Sequence, residues 1–158
     1  MAADLDDLYR EIILDHYRSP RRKHHLEHHN READGANPLC GDQIHVEVEL
    51  EDGRIADVGF VGQGCSISQA SASMMSDHVA GKTPAEALAS VEAFQQMMTS
   101  GHAPEDDGFG DLEALTGVAK FPVRVKCASL GWKTLEQALR ADATDTPVST
   151  DERTTTDG

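Results

Sequence analysis

The sequence has little positive charge, and this shortage restricts the partners it can bind. Lysine and arginine together number 14, whereas aspartate and glutamate number 28, so the formal net charge is −14. No basic cluster of useful size interrupts this excess of acid. Phosphate backbones and anionic lipid surfaces would be repelled. We therefore expect neither nucleic acid nor a membrane as a partner.

Long apolar runs and a leader segment are also missing. No stretch approaches the roughly 20 apolar residues that a membrane-spanning helix needs. Residues 1–7 lack the basic region and the apolar block of a signal peptide. These absences predict a cytoplasmic protein. Cysteine is scarce too, with only Cys40, Cys65 and Cys127, and in a reducing compartment such residues more often bind metals or react than form disulfides.

The length of 158 residues is typical of one domain with a real hydrophobic core. We assign that domain to residues 1–140. Residues 141–158 are rich in aspartate, threonine, serine and alanine, with one proline, one valine and no large apolar side chain. Ordering this segment would cost conformational entropy with little burial to offset it. We expect a disordered acidic tail.

Alternating apolar residues predict a small antiparallel sheet. The residues that alternate with polar ones over positions 43–50 are Ile44, Val46, Val48 and Leu50. This pattern is typical of a half-buried strand. Residues 51–54 supply a hairpin turn, after which a second strand spans 55–61. That strand should place three side chains on one face: Ala56, Val58 and Phe60. A third strand is expected around residues 31–36.

Helical periodicity predicts the elements that cover this sheet. The first predicted helix begins after Asp4 and ends at Ser19-Pro20. The others span residues 66–80, a stretch opened by the capping box Thr83-Pro84-Ala85-Glu86, a short turn at 111–115, and about 127–140. This set of elements predicts an α+β fold, in which an antiparallel sheet of about three strands is covered by helices on one face.

Cys65 lies where a strand pattern changes, through two glycines, to a helical one. Unsatisfied N–H groups at a helix start favour the thiolate, which acts as a nucleophile or a metal ligand. A free cysteine can equally be a small buried apolar residue. The hairpin favours a chemical role, because it brings Cys40 and Asp42, before one strand, to Cys65, after the next. With Cys127 also predicted at a helix start, the three cysteines are placed to converge.

Three thiolates and one carboxylate satisfy the tetrahedral coordination of Zn²⁺. Asp42 is the natural fourth ligand, because a loop of the type C-x-D can point both side chains to one side. It could equally be a turn residue after Gly41. The spacing of the cysteines is unlike that of a zinc finger.

A histidine-rich segment over residues 24–29 also suggests metal binding. Neighbouring histidines cannot all face one ion, and the segment is polar throughout. A solvated connector is therefore the preferred interpretation, and adventitious binding of nickel or zinc is compatible with it.

Three motifs, each with one cysteine, occur in order along the chain. They are Asn37-Pro38-Leu39-Cys40-Gly41-Asp42, Gly62-Gln63-Gly64-Cys65-Ser66-Ile67-Ser68 and Lys120-Phe121-Pro122-Val123-Arg124-Val125-Lys126-Cys127. Together they resemble the motifs of the IscU/NifU-like iron–sulfur cluster assembly family, and the similarity extends from Leu8 to about Leu139. IscU-type scaffolds carry a histidine where Lys126 stands, and a chaperone motif near the place of Phe121. In these departures, and in a longer segment before the third cysteine, the sequence is similar to the SufU branch.

The resemblance implies a zinc-dependent sulfurtransferase that accepts persulfide sulfur from a SufS-type cysteine desulfurase and serves a downstream Suf assembly scaffold. It implies Zn²⁺ held by Cys40, Asp42, Cys65 and Cys127. In the family, a histidine of the desulfurase replaces the equivalent of Cys40 on the metal, which frees this cysteine to attack the persulfide. Arg124 matches an arginine proposed to pair with the aspartate during that exchange, although it could equally be an exposed strand residue.

Three other functions remain alternatives. The same cysteines could assemble a [2Fe–2S] cluster on a non-enzymatic scaffold, because such a site suits iron as well as zinc, at least transiently. Zinc could also be a structural staple and nothing more. A thiol hydrolase would need a histidine base, for which His45 and His78 are the candidates nearest in sequence.

Overall fold

The structure, a computed structural model, describes residues 2–102, 110–140 and 148–149. Its helices are α1 (Ala2–Arg18), α2 (Ser66–Val79), α3 (Pro84–Ser100), a 3₁₀ helix (Gly110–Lys120) and α4 (Pro122–Arg140). Its strands are β1 (Arg31–Asn37), β2 (Asp42–Glu51), β3 (Arg54–Gln63) and β4 (Val148–Ser149).

The strands form one sheet in the order β3-β2-β1-β4. The pairs β1–β2 and β2–β3 are antiparallel, whereas the two-residue β4 runs parallel to β1 beside Gly35 and Ala36. Helix α4 packs against β1 and β2, and α2 packs against β3. The predicted α+β fold is confirmed, with three antiparallel strands and a short fourth strand at one edge.

Alternation along β2 decides which side chains face the helices. Ile44, Val46 and Val48 are buried. A Cβ built at Gly131 of α4 would lie 3.5 Å from Ile44 Cδ1, so this face of β2 is the one that α4 covers. Because successive side chains of a strand point to opposite faces, His45 lies on the other side of the sheet.

The other face is partly covered by residues 21–30, which we call the connector. Leu26 of the connector lies against Gly59 of β3, where an added Cβ would be 3.0 Å from Leu26 Cδ2. The Leu26 N–H also donates a hydrogen bond to Glu47 Oε1 at 2.8 Å. The connector is therefore polar, as predicted, but it is attached to the sheet.

Strand β1 confirms the third strand expected near residues 31–36, although its composition resembles that of a loop. It pairs with β2 along its whole length, from Arg31 opposite Val48 to Asn37 opposite Asp42. At Gly35 an added Cβ would lie 3.1 Å from Leu130 Cδ1 of α4. The missing side chain thus lets the helix approach, and long-range packing outweighs the weak strand propensity of this segment.

On β3 the predicted face is wrong at Ala56. Ala56 is exposed, whereas Ile55 is fully buried. The register shifts here, because Glu49 pairs with Asp57 while Leu50 pairs with Ile55. Ala56 is therefore the extra residue of a β-bulge, which turns Ile55 toward the core.

The starts of α2 and α3 agree with the sequence. Cys65 is the N-cap residue of α2. At α3, the Glu86 N–H donates to Thr83 Oγ1 at 3.1 Å and the Thr83 N–H donates to Glu86 Oε1 at 3.0 Å, which confirms the capping box. Helix α3 ends at Gly101, whose φ of 79° is left-handed.

The start of α4 differs from the prediction. The helix begins at Pro122, so the prediction that Cys127 lies at a helix start is wrong. Proline suits a first helical turn, because its φ is already helical and its missing N–H would have had no partner there. Cys127 therefore lies within α4 and is buried. The short turn predicted at 111–115 is likewise part of a longer 3₁₀ helix.

Trp132, the chain's single tryptophan, joins three helices in the core. Its ring stacks on Phe94 of α3 with a centroid separation of 4.6 Å. Its Nε1 donates to Ser71 Oγ of α2 at 3.2 Å, and that hydroxyl donates to the Ala128 carbonyl at 2.7 Å. The stack and the paired polar atoms fix α2, α3 and α4 relative to one another.

Among the described helices, none is both long and apolar enough to cross a membrane. Most of the predicted acidic tail, residues 141–158, lies outside the described residues. The tail therefore stays a prediction. Its described part is β4, Val148–Ser149.

Candidate metal centre

One end of the sheet brings the predicted ligands close to one another. Cys40 lies in the turn between β1 and β2, and Asp42 is the first residue of β2. Gln43 of β2 pairs with Gln63 of β3. The end of β3 and the following Cys65 therefore lie beside Asp42.

Cys40, Asp42 and Cys127 form the tightest group at this end. The sulfur atoms of Cys40 and Cys127 are 3.3 Å apart. These two sulfurs and a carboxylate oxygen of Asp42 all lie within 4.8 Å of one another. Thiolate sulfur and carboxylate oxygen are both zinc ligands. The group is therefore of the right size and chemistry for one metal ion.

The Asp42 carboxylate supplies an independent sign that a cation fits here. Its Oδ1 accepts the backbone N–H of Cys65 at 2.9 Å. Its Oδ2 is buried and has no hydrogen-bond partner among the described residues. Burying an unpaired carboxylate oxygen is costly. A metal ion at the neighbouring sulfurs would give this oxygen the partner it lacks.

Cys65 is fixed beside the group through its backbone. Its thiol is partly buried, and its Sγ lies outside the set of ligand atoms that are within 4.8 Å of one another. As the N-cap of α2 it adjoins unsatisfied N–H groups, which favour a thiolate. The structure thus brings three of the four predicted ligands together and holds the fourth next to them.

Cys127 is the buried thiol of the site. Burial raises the pKa of the Cys127 thiol, and its hydrogen bond with Cys40 and the nearby negative charges of Asp42 and Cys65 raise that pKa further. Asn37 Nδ2 donates to Cys127 Sγ at 3.7 Å. Ionising this thiol in place requires nearby positive charge, which a bound cation supplies.

Asn37 is a site residue that the sequence analysis did not single out. It is fully buried, and its backbone carbonyl accepts the N–H groups of Cys40 at 3.2 Å and Gly41 at 2.9 Å. Its Oδ1 accepts the Leu39 N–H at 3.3 Å. Asn37 therefore shapes the turn that carries Cys40. The signal was an asparagine followed by proline, a pair typical of turns.

Arg124 lies in the first turn of α4 and is exposed, so the alternative of a strand residue is wrong. In the described part of the chain it makes no ion pair with Asp42. Its role in an exchange with a partner enzyme stays a prediction. Lys126 is partly buried within the same helix.

Large apolar side chains are exposed beside the cysteine motifs. Leu39, next to Cys40, is 59% exposed, and Phe121 and Val123, at the start of α4, are 55% and 57% exposed. We call these three residues the apolar rim. Single exposed apolar residues are common on protein surfaces, but these three belong to the two motifs that supply Cys40 and Cys127.

The fold and this group of residues define an α+β domain with a candidate thiolate and carboxylate metal centre at one end of its sheet. Residues 8–128 match the family of the NifU-like N-terminal domain. The chain belongs to this family of iron–sulfur cluster assembly proteins.

Individual relatives agree with this assignment. The chain is 45% identical over 137 residues to the zinc-dependent sulfurtransferase SufU of Bacillus subtilis (strain 168), covering 87% of this chain and 92% of the relative. It is 40% identical over 145 residues to the iron–sulfur cluster assembly scaffold protein IscU of Streptococcus pyogenes serotype M1, covering 88% of this chain and 87% of the relative. A crystal structure described as an iron–sulfur cluster assembly scaffold for the SUF system, from Fervidobacterium islandicum AW-1, has a TM-score of 0.76 at 35% identity, covering 82% of this chain and 95% of that chain. These similarities confirm the resemblance to the IscU/NifU-like family.

Proposed function

We propose that this protein is a zinc-dependent sulfurtransferase that accepts persulfide sulfur from a SufS-type cysteine desulfurase in the cytoplasm. The observation that carries this proposal is the contrast between Cys40, which is exposed, and Cys127, which is buried 3.3 Å away. A partner enzyme can reach the first thiol but not the second. The 45% identity to a protein named as a zinc-dependent sulfurtransferase supports the same function.

The metal ligands in this proposal are Cys40, Asp42, Cys65 and Cys127. Bound zinc would keep the cysteines ionised and the segments that carry them ordered. The buried, unpartnered Oδ2 of Asp42 supports its place in the set. The backbone bond from Cys65 to Oδ1 of the same carboxylate supports the inclusion of Cys65.

Cys40 is the proposed sulfur acceptor. Its thiolate attacks the outer sulfur of the persulfide on the desulfurase cysteine. A new S–S bond forms at Cys40, the S–S bond of the enzyme breaks, and the desulfurase cysteine leaves as a thiolate. The transferred sulfur keeps its hydrogen, so the step needs no oxidant or reductant. The persulfide on Cys40 is then passed to a downstream Suf assembly scaffold.

The apolar rim and Arg124 are the proposed contacts with the desulfurase. A docked partner would bury Leu39, Phe121 and Val123 and remove their apolar surface from water. Arg124 begins the same helix and is exposed, and we assign to it the pairing with Asp42 during transfer. Positive charge near Asp42 would balance the carboxylate while Cys40 reacts.

A second candidate function is that of a [2Fe–2S] assembly scaffold. The 40% identity to a protein named as an IscU scaffold favours it, because the same cysteines and Asp42 could ligate iron. The two functions differ in what the purified protein holds. A scaffold loaded anaerobically with iron and sulfide is brown and absorbs visible light, whereas the zinc-loaded transferase is colourless.

The deciding experiment measures turnover of the cognate desulfurase with and without this protein, alongside metal analysis. Zinc-loaded wild type should stimulate turnover strongly, and mass spectrometry should find one additional sulfur atom on Cys40. Cys40→Ala should abolish both effects, whereas Gln43→Ala, an exposed neighbour on β2, should retain both. A purely structural zinc would instead make Cys40→Ala less stable without abolishing stimulation. Absence of stimulation by correctly metallated wild type would overturn the transferase function and favour the scaffold.

A further inference from the structure

We propose that His25, His45 and Glu47 form a second divalent-cation site, on the face of the sheet opposite the helices. Glu47 lies on β2, and its side chain is only 6% exposed. His45 precedes it by two residues on the same strand face. His25 approaches from the connector, so the group joins the connector to the sheet. This site is separate from the cysteine centre and does not depend on the function proposed for it.

Both histidines direct a ring nitrogen at the same oxygen atom. His25 Nδ1 lies 2.9 Å from Glu47 Oε2, and His45 Nε2 lies 3.0 Å from that oxygen. The three ligand atoms are all within 4.8 Å of one another. In a tetrahedral zinc site with ligand bonds of about 2.0–2.1 Å, neighbouring ligand atoms are separated by about 3.3 Å. Small side-chain movements would therefore open a cation position between them.

The atoms that do not face this position are held by other partners. Asp34 Oδ1 lies 2.7 Å from His45 Nδ1. A hydrogen on Nδ1 would be donated to this carboxylate, which leaves the lone pair of Nε2 free for a metal. Glu47 Oε1 accepts the Leu26 N–H at 2.8 Å, so Oε2, the oxygen that both imidazoles face, is the one that would bind the cation. Such outer partners are the usual means by which a protein orients metal ligands.

The surrounding charge also favours a cation. Glu32 faces Glu47, and Asp34 faces His45, across the β1–β2 pair. Glu32 Oε1 lies 3.4 Å from His45 Nε2, so this carboxylate adds negative charge beside the three ligand atoms. Like charges directly opposite one another on paired strands are destabilising. A divalent cation among these carboxylates would offset that repulsion.

The ligand chemistry indicates the class of cation. Two imidazoles and one carboxylate suit Zn²⁺ and neighbouring transition metals such as Ni²⁺ and Co²⁺, whereas Mg²⁺ and Ca²⁺ prefer oxygen ligands alone. Only part of the histidine-rich segment takes part. His25 faces Glu47, whereas His28 is exposed and makes no hydrogen bond or ion pair with the described residues. His28 therefore offers a control for adventitious binding to surface histidines.

The test compares His25→Asn with His28→Asn in the full-length protein, both changes being in exposed histidines of one segment. Equilibrium dialysis against buffered zinc should give two zinc ions per chain for wild type and for His28→Asn, but one for His25→Asn. Asp34→Asn should weaken the second zinc by about 10- to 100-fold, because it removes the partner that orients His45. With Co²⁺, the cysteine centre should show thiolate charge-transfer absorption, and the second ion should add none.

Two results would overturn the proposal: the same zinc content in wild type and in His25→Asn, or equal loss of zinc in His25→Asn and His28→Asn. The last result would assign the second ion to surface histidines in general. Because the His25 side chain is 67% exposed, its replacement should leave the fold intact, and far-UV circular dichroism verifies this. Failure of the desulfurase experiment would leave these outcomes unchanged, since the ligands do not overlap.

Discussion

One carboxylate oxygen of Asp42 accepts the backbone N–H of Cys65 at 2.9 Å. Because Asp42 begins β2 and Cys65 precedes α2, this bond fixes the end of the sheet to the start of a helix. The other oxygen receives no hydrogen bond from the described residues. Asp42 thus organises the fold through one oxygen, and its other oxygen is left available for the proposed cation.

Substitutions at Asp42 should separate those tasks. In Asp42→Asn an amide oxygen can still accept the Cys65 N–H, whereas Asp42→Ala leaves that N–H unpaired at a cost of about 1–3 kcal/mol. Both variants should lose the zinc of the cysteine centre, because neither offers a carboxylate. Urea unfolding of the metal-free proteins, followed by Trp132 fluorescence, measures the first effect, and metal analysis measures the second. Wild-type zinc content in Asp42→Asn would contradict its role as a ligand.

Gly64 should be intolerant of a side chain for a related reason. A Cβ at this position would contact Asp42 Oδ1 and lie 2.9 Å from Asp42 Cγ. Gly64→Ala should displace the carboxylate and weaken zinc binding by about 10-fold or more. Gly117→Ala is the matched control, since nothing lies within 4 Å of its added Cβ. Competition with a chromophoric chelator measures both affinities, and equal values would argue against this steric coupling.

The capping box of α3 should contribute measurably to stability. Thr83→Ala removes the side chain that accepts the Glu86 N–H, and we expect a loss of about 1 kcal/mol in the free energy of unfolding. Thr99→Ala, at an exposed position in the last turns of the same helix, is the control and should lower stability by less than Thr83→Ala does. Its hydroxyl donates only to the Gln95 carbonyl of the preceding turn. Urea denaturation compares the two, and a similar loss in both would contradict the capping role.

The same capping box should make stability depend on pH. The hydrogen bond from the Thr83 N–H lowers the pKa of Glu86 below its ordinary value of 4.5. Burial opposes this shift, and the positive charge of Arg54 lowers the pKa further. The unfolded chain therefore binds this proton more readily. The contribution of Glu86 is complete above pH 4.5 and is lost as the pH falls through the lower folded pKa. Relative to Glu86→Gln, wild type should lose stability over that acidic range, and a pH-independent difference would contradict this.

The apolar rim should govern desulfurase affinity without affecting the metal. If docking buries Leu39 and Val123, replacing either by serine removes about 1.5–3 kcal/mol of apolar burial. The concentration needed for half-maximal stimulation should then rise by about tenfold or more, with zinc content unchanged. Leu8→Ser, at a residue of α1 that is 54% exposed, should have no such effect. Equal effects at Leu8 and Leu39 would indicate a nonspecific surface change.

The sequence predicted elements well where a local pattern was strong. The alternation around Val46 and the capping box at Thr83 both identified their elements correctly. The bulge at Ala56 was missed, because a single extra residue leaves no mark in an alternating pattern. The early start of α4 was missed because Val123 and Val125 alternate like a strand, although Pro122 favours a first helical turn.

The sites were predictable to different degrees. The proximity of Cys40, Asp42, Cys65 and Cys127 was predictable because a short hairpin brings its outer ends together and because the motifs resemble a known family. The contact of His25 with Glu47 was not found, since it depends on which face of the sheet the connector crosses. The expectation that neighbouring histidines cannot all face one ion agrees with the structure, where His24 bonds to the His25 carbonyl and His25 turns to Glu47.

The position of β4 determines how another chain can approach this sheet. An uncovered strand edge can pair with a strand of another molecule and so promote aggregation. Beside Gly35 and Ala36, the edge of β1 is already paired with β4, and further along it carries Arg31, Glu32 and Asp34. Strand addition is thus blocked nearest the Cys40 turn and opposed by charge elsewhere along β1. A strand of another molecule is therefore hindered from pairing with β1, and copies of this protein are hindered from joining their sheets across this edge when the protein is concentrated.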